Sequence, residues 1–258
     1  MCCISGGKDS LGTVLYYRNL GYNIRLYTVK GINKGYPDEY KATIELAKQL
    51  NLPLVIDEIK LSGKKFFMEH PLKNQVIASM ALAYCLENYI APQVSFGDYY
   101  GHHNEANLFG INWTDNYGLW VHFNKYIKPF ISSAEVFIPL EQEEQSLELL
   151  TENFNLVPYY QSCMMSLRYK GRLRQGNQEK YHIELLPNRC GSCRKCCFEY
   201  IYFCDKGKFA YNADYYKHCL EILKKKWSEF TKSDRKFKNL REVYIAYFGN
   251  TKSKYFEN

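Results

Sequence analysis

The hexapeptide at residues 5–10, Ser-Gly-Gly-Lys-Asp-Ser, contains the residue types that bind phosphate. Its two glycines let the backbone turn tightly and approach a ligand without a Cβ clash. Ser5 and Ser10 can donate hydroxyl hydrogen bonds to phosphate oxygens, Lys8 adds a positive charge, and Asp9 can bind Mg²⁺ or cap the following helix. Because the spacing differs from that of the GxxxxGK[ST] P-loop, the sequence predicts a different kind of phosphate loop.

Cys190, Cys193 and Cys196 have the spacing Cys-x-x-Cys-x-x-Cys, which suits metal or redox chemistry. No export signal is visible, and a chain of 258 residues does not need a disulfide framework to fold. Zinc prefers four sulfur or nitrogen ligands in a tetrahedron, and a tight turn at this spacing can direct three sulfur atoms to one point. Cys197 as a further ligand, a redox dithiol and a three-cysteine iron–sulfur cluster are the alternatives.

Strand and helix patterns alternate through the first half of the chain, where the phosphate loop lies. The apolar periodicity predicts strands at 2–4, 24–29, 54–59, 94–96 and 137–140, with helices at 9–19, 38–50, 72–89 and 142–153. Strands that alternate with helices favour a parallel sheet with right-handed crossovers. The predicted fold class is therefore α/β, with a Rossmann-like sheet of about five strands flanked by helices, a zinc-bearing appendage and a helical C-terminal extension.

Length and composition restrict the class of protein. A chain of 258 residues suits one core domain with elaborations, and the 46% hydrophobic content excludes a mainly disordered chain. No apolar run approaches about 20 residues, so we expect a cytoplasmic protein with no membrane partner. We predict a phosphate-binding core at 1–140, a zinc-binding region at 141–205 and a basic helical extension at 206–258.

The extension at 206–258 carries 13 Lys and Arg against 6 Asp and Glu, which accounts for the net charge of +7 of the whole chain. Such a segment can bind phosphate backbones or an acidic partner, so a protein or nucleic-acid partner is expected here. A solvated helical face is the alternative interpretation.

Four motifs in the same order along the chain are similar to those of a known family. The loop at 5–10 resembles the SGGxDS loop of the PP-loop ATP pyrophosphatases, which cleave ATP between the α and β phosphates and adenylate a substrate. The 7-cyano-7-deazaguanine synthase branch of these pyrophosphatases has a PGRN motif, a TPL…VP…SC run and a CGxCxxC motif. Similar segments lie here at 70–74 (His-Pro-Leu-Lys-Asn), at 138–140, 157–158 and 162–163, and at 190–196.

The resemblance implies an activity and a set of partners. A carboxylate, 7-carboxy-7-deazaguanine or a related base, would be adenylated with ATP. Ammonia or another amine would then displace AMP, after pyrophosphate has left. The implied cofactors are ATP, Mg²⁺ and Zn²⁺, and a homodimer is compatible with the sequence.

The resemblance also implies roles for single residues. Lys8, Asp9 and Lys73 would be catalytic, and Cys163 would be the fourth zinc ligand beside Cys190, Cys193 and Cys196. The ATP-binding residues would be Ser5, Gly6, Gly7, Lys8, Asp9, Ser10, the backbone at Val29, and Asn74. Since ligands of open parallel sheets bind beyond the carboxyl ends of the strands, Asp98 and Tyr99 should face the substrate, with Asp115 as the competing candidate.

Departures from the synthase pattern favour a second activity. Synthases of this family usually have Leu or Met at the position of Lys8, whereas Lys is commoner in the thiolase and reductase branches. Lys8, the extra cysteines and the basic extension favour this second activity. ATP-dependent thiolation of a nucleic-acid base is therefore the alternative enzyme. A non-enzymatic zinc-stabilised binding module is the third interpretation, which the intact phosphate loop disfavours.

Overall fold

A computed structural model describes residues 1–31, 37–59, 73–97, 117–141, 143–163, 165, 167–231 and 236–248. The chain forms two compact units, Met1–Gln161 and Ser162–Asn258. The three-part division at residues 140 and 205 stays a prediction. Among the residues described, no helix is both long enough and apolar enough to cross a bilayer.

The first unit is built on a five-stranded parallel sheet with the order β3-β2-β1-β4-β5. The strands are β1 (Cys2–Cys3), β2 (Leu26–Lys30), β3 (Leu54–Glu58), β4 (Gln93–Ser95) and β5 (Glu135–Phe137). This confirms the predicted α/β fold class with about five parallel strands. The strands β2 and β3 lie on one side of β1, whereas β4 and β5 lie on its other side. The direction in which strands are added to the sheet therefore reverses between β1 and β4. Ligands of open parallel sheets bind at such a reversal, beyond the carboxyl ends of the strands.

Helices and a large apolar cluster cover the sheet. Among the residues described, the helices of this unit are α1 (Lys8–Asn19), α2 (Pro37–Leu50), α3 (Lys73–Glu87), α4 (Tyr117–Ile127) and α5 (Glu143–Glu152), followed by a 3₁₀ turn (Phe154–Leu156). The cluster joins β2, β4 and α3 to Trp120 of α4, whose ring centroid lies 4.7 Å from that of Phe96. Burial of large aromatic side chains in this way contributes strongly to stability.

The fifth strand lies earlier in the chain than the sequence predicts. It spans Glu135–Phe137 instead of 137–140, because Pro139 has no N–H to donate to a ladder. The Asn124 side chain of α4 forms hydrogen bonds with both backbone polar groups of Val136. It donates to the Val136 carbonyl oxygen at 2.8 Å and accepts from the Val136 N–H at 2.8 Å. A helix side chain thus substitutes for a neighbouring strand at this position.

The second unit is helical, as predicted for the C-terminal segment. Its helices are α6 (Leu167–Tyr181), α7 (Arg194–Asp205), α8 (Ala213–Thr231) and α9 (Leu240–Phe248). Helix α7 is the core element, because every side chain from Cys196 to Cys204 is buried. The charges divide unequally: this unit has 21 Lys and Arg against 10 Asp and Glu, whereas the first unit has 13 against 17.

Candidate functional site

The predicted phosphate loop connects the end of β1 to the start of α1. Gly6 has a φ of +78°, and a Cβ there would lie 2.3 Å from the carbonyl oxygen of Glu39, so the fold itself requires glycine. Gly7 differs, since its φ of −85° and ψ of 165° suit any residue. A Cβ on Gly7 would meet only Ser5 Oγ at 3.5 Å and the Gln161 carbonyl oxygen at 3.7 Å, which are ordinary contacts.

The end of β4 packs against the same loop. A Cβ on Gly97 would lie 2.3 Å from the backbone N of Ser10 and 2.5 Å from the carbonyl carbon of Asp9. No side chain fits between these two backbones. The carboxyl ends of β1 and β4 therefore both lie beside the N-terminus of α1, at the point where the strand order reverses.

The first turn of α1 presents backbone donors. Gly7 is the N-cap residue, and no side chain caps the helix. The first N–H groups of a helix have no partner within the helix, and their partial positive charge attracts anions. Together with the tight glycine turn, this is the kind of geometry that suits an anion.

Two serine hydroxyls shape the loop. Ser10, which is 5% exposed, accepts a hydrogen bond from the Ser5 N–H at 3.2 Å and donates one to the Gly7 carbonyl at 3.0 Å. The Ser5 hydroxyl lies 3.3 Å from that of Ser10 and is exposed to solvent. Ser10 therefore holds the loop closed, whereas Ser5 is placed to meet a ligand.

Lys8 is surrounded by carboxylates. Its ammonium group is 3% exposed and forms ion pairs with Asp9 and, at 2.6 Å, with Oε1 of Glu143. Glu143 lies in the first turn of α5, and sequence reasoning missed it. With two anionic partners, Lys8 does not add net positive charge to the loop in this state.

The segment that follows the 3₁₀ turn also forms a hydrogen bond with the phosphate loop. The Gln161 N–H donates to the Gly6 carbonyl at 2.7 Å, and the Gln161 side chain is 8% exposed. Sequence reasoning missed Gln161 as well, since no motif marks a contact made through the backbone.

The structure describes the other predicted nucleotide and substrate residues only in part. Val29 is buried in β2, and Asn74 is partly buried near the start of α3. Lys73 is the first residue of α3. The predicted substrate residues Asp98, Tyr99 and Asp115 lie outside the described residues.

The four predicted metal ligands come together in the second unit. Their Sγ atoms all lie within 4.8 Å of one another, with 3.8 Å between Cys190 and Cys196 and 4.0 Å between Cys193 and Cys163. Sulfurs at the corners of a tetrahedron around one zinc ion, with Zn–S bonds of about 2.3 Å, stand about 3.8 Å apart. The sulfur positions therefore fit a single tetrahedral ion.

A backbone turn organises this cluster. The N–H groups of Ser192 and Cys193 donate to the Cys190 sulfur at 3.3 and 3.2 Å. Asn177 of α6 fixes the turn from outside, donating to the Cys190 carbonyl at 3.0 Å. Helix α7 then begins with Cys193 as its N-cap and carries Cys196 in its first turn.

The cysteine thiols share protons. Hydrogen bonding with Cys190 lowers the pKa of Cys163 to about 7. Hydrogen bonds from the other three thiols, that of Cys163 foremost, also lower the pKa of Cys193. The pKa values of Cys190 and Cys196 are raised, because they keep their protons in hydrogen bonds with Cys163. Because only thiolates bind a metal ion, the cluster would release its remaining protons when a cation binds.

No protein-family model and no curated protein matches the sequence. Among solved structures, the U34-tRNA thiolase NcsA from Methanococcus maripaludis with its [4Fe-4S] cluster is similar at 18% sequence identity and a TM-score of 0.45. The similarity covers 69% of this chain and 65% of that chain, slightly less than two thirds of the thiolase.

Proposed function

We propose that the chain is an enzyme that binds ATP at the 5–10 loop and cleaves it between the α and β phosphates. The observation that supports this most is the loop itself: a glycine turn at the reversal of strand order leads into an uncapped helix N-terminus. Backbone amides aimed at phosphate stabilise the charge that develops on pyrophosphate as it leaves. An oxygen of the acceptor attacks the α phosphorus and becomes linked to AMP.

Magnesium suits this chemistry. ATP and its pyrophosphate leaving group are strongly anionic, whereas the Lys8 charge is already balanced by Asp9 and Glu143. A divalent cation would neutralise the phosphates, and the partly exposed carboxylate of Asp9 would be its ligand.

We also propose that the four cysteines hold one structural zinc ion. Four thiolates form a closed site with no open position for a substrate, as in structural zinc centres. In a [4Fe–4S] cluster each cysteine binds a different iron, so the cysteine sulfur atoms stand further apart than around one ion. Separations of 3.8 and 4.0 Å support the single ion.

A base in a nucleic acid is the acceptor that the charge distribution favours. The second unit carries 21 basic against 10 acidic residues, which suits a polyanionic substrate. A carbonyl oxygen of the base would be adenylated, sulfide or a donor of equivalent sulfur would attack the same carbon, and AMP would leave with the oxygen. Adenylation of a deazaguanine carboxylate followed by amine attack is the second candidate, favoured by the motif order in the sequence.

One experiment tests the shared step and separates the two acceptors. The protein is incubated with ATP and Mg²⁺ and either with RNA and sulfide or with 7-carboxy-7-deazaguanine and ammonium. AMP and pyrophosphate are measured, and the products are identified by mass spectrometry. Exchange of oxygen for sulfur in the RNA supports thiolation, and amide or nitrile formation supports the synthase reaction. Absence of AMP and pyrophosphate under both conditions would refute the enzyme proposal.

A further inference from the structure

Helix α6 has the largest excess of positive charge among the helices that the structure describes. Its 15 residues include five Lys and Arg and a single acidic residue. Two of the five basic side chains are used within the second unit: Lys170 is 6% exposed, and Arg174 donates to the Pro187 carbonyl oxygen at 2.7 Å. Arg172 and Lys180 are exposed, and neither forms an ion pair with a carboxylate of any described residue.

These two cations belong to one exposed stripe of the helix. Its members follow one another at intervals of three or four residues and therefore share a face; they are Tyr169, Arg172, Gly176 and Lys180. All four are exposed, and the Tyr169 side chain is 49% exposed. Arg172 and Lys180 are separated by two turns, about 12 Å along the helix axis. The stripe thus presents an aromatic ring and two separated positive charges.

Another face of α6 fixes the helix to the metal centre. Leu173 packs against the cysteine cluster, and Asn177 donates to the Cys190 carbonyl oxygen at 3.0 Å. The stripe is therefore carried by a helix whose inner face is held in place by packing and hydrogen bonds.

Gly176 leaves a gap between the two cations. A Cβ added there would meet nothing within 4 Å, so packing does not require glycine at this position. Glycine also destabilises a helix interior relative to most other residues. A ligand whose backbone comes close to the helix between Arg172 and Lys180 gives the glycine a purpose.

The chemistry of the stripe selects among anionic ligands. Two separated cations suit a chain of phosphates, and an exposed aromatic ring suits the face of an unpaired base. A membrane surface fits poorly, because a helix that lies on a bilayer inserts a row of large apolar side chains. The exposed residues of α6 that the structure describes include no aliphatic side chain of that kind.

We propose that the exposed stripe of α6 binds a single-stranded segment of a nucleic acid. Arg172 and Lys180 contact its phosphates, Tyr169 stacks on a base, and the sugar–phosphate backbone passes close to Gly176. This inference rests on the nucleic-acid acceptor proposed above and names the surface that holds it. Binding needs no ATP, so the stripe and the enzyme activity are tested separately.

The first test measures the contribution of one charge. Binding of a fluorescent single-stranded RNA dodecamer of mixed sequence to the metal-loaded protein is followed by anisotropy over a range of salt concentrations. Arg172→Gln should weaken binding about fivefold at low salt and reduce the slope of log affinity against log salt by about 0.7, the value for one phosphate contact with a single strand. Arg241→Gln is the matched control, since Arg241 is an exposed arginine of α9 in the same unit, and it should leave the slope unchanged.

Two further substitutions test the ring and the gap. Tyr169→Ala should weaken binding of the single strand about fivefold or more and affect an RNA duplex little, because paired bases offer no free face. Gly176→Gln should raise the thermal midpoint, since glutamine is the better helix former, and yet weaken binding. Gly171→Gln is its matched control: Gly171 is equally open but lies about 140° around the helix from Gly176, so this variant should gain stability and bind normally.

Several outcomes would overturn the proposal. Equal losses in Arg172→Gln and Arg241→Gln would mean that the overall charge of the second unit attracts the strand. Normal binding by a folded Gly176→Gln variant would place the strand elsewhere. Tighter binding of polyglutamate than of RNA, lost in Arg172→Gln, would make the partner an acidic protein. Absence of RNA binding by the unchanged protein would refute the stripe, and ATP cleavage with 7-carboxy-7-deazaguanine would then leave the enzyme proposal standing.

Discussion

Replacing each of the two glycines of the phosphate loop with alanine separates what the fold needs from what a ligand needs. Gly6→Ala forces a side chain into a φ of +78° and against the Glu39 carbonyl oxygen at 2.3 Å. The left-handed backbone costs about 1–2 kcal/mol, and the steric overlap costs about 1–3 kcal/mol more. We therefore expect Gly6→Ala to lose roughly 2–5 kcal/mol of unfolding free energy.

Gly7→Ala should leave the fold nearly unchanged. Its backbone is extended, and its Cβ would make only ordinary contacts at 3.5 and 3.7 Å. Alanine lowers the conformational entropy of the unfolded chain, which stabilises the folded variant by about 0.4–1 kcal/mol. Because alanine is a poorer N-cap residue than glycine, part of this gain is lost. ATP affinity should nevertheless fall at least tenfold, because phosphates that contact the loop backbone would meet a methyl group.

Urea denaturation and calorimetric titration with ATP measure the two effects separately. Gly21→Ala is the matched control for Gly6→Ala, since Gly21 has a φ of +77° with nothing within 4 Å of an added Cβ. It should lose only the backbone contribution and bind ATP normally. Normal ATP binding by a folded Gly7→Ala variant would refute the assignment of the loop as the phosphate site.

Three further changes test other parts of the structure. Cys193→Ser should lower the bound metal from about one ion per chain, which elemental analysis measures, and unfold the second unit, which hydrogen exchange measures. Retained zinc in a folded variant would contradict the assigned ligands. Glu143→Gln should strengthen ATP binding several-fold in titrations, because Lys8 then has one carboxylate fewer beside it; weaker binding with unchanged stability would instead place Glu143 on the ligand. Burial lowers the pKa of His218, so the unfolded state binds more protons as pH falls below about 6.5, and stability should decrease there. His218→Phe should remove that decrease in urea titrations from pH 8 to 5, and an unchanged slope would assign it to other groups.

The sequence predicts the parts of the site that are local in the chain. The loop at 5–10 follows β1 directly and begins α1, so strand pattern, glycines and helix start fall within about ten residues. The spacing of Cys190, Cys193 and Cys196 likewise reflects one backbone turn. Such features depend on local geometry, which residue types specify well.

Contacts between distant segments could not be predicted in this way. Glu143 reaches Lys8, and Gln161 reaches Gly6, only because the sheet brings these segments together. Helix α6 was missed for another reason: it contains Gly171 and Gly176, each of which costs about 1 kcal/mol in a helix interior relative to alanine. Packing in the second unit overcomes this weak local preference.

The division of charge between the two units predicts different origins for two kinds of anion binding. In the first unit acidic residues outnumber basic ones, 17 to 13, and Lys8 is paired with two carboxylates. In the proposed function, ATP is therefore held by short-range backbone donors and a divalent cation, which salt screens little. The second unit, with 21 basic against 10 acidic residues, attracts polyanions through many charges at once, and this attraction weakens steeply with salt. We therefore expect ATP binding to persist at salt concentrations that abolish the binding of nucleic-acid strands. The same salt dependence for both ligands would mean that both rely on the same basic surface.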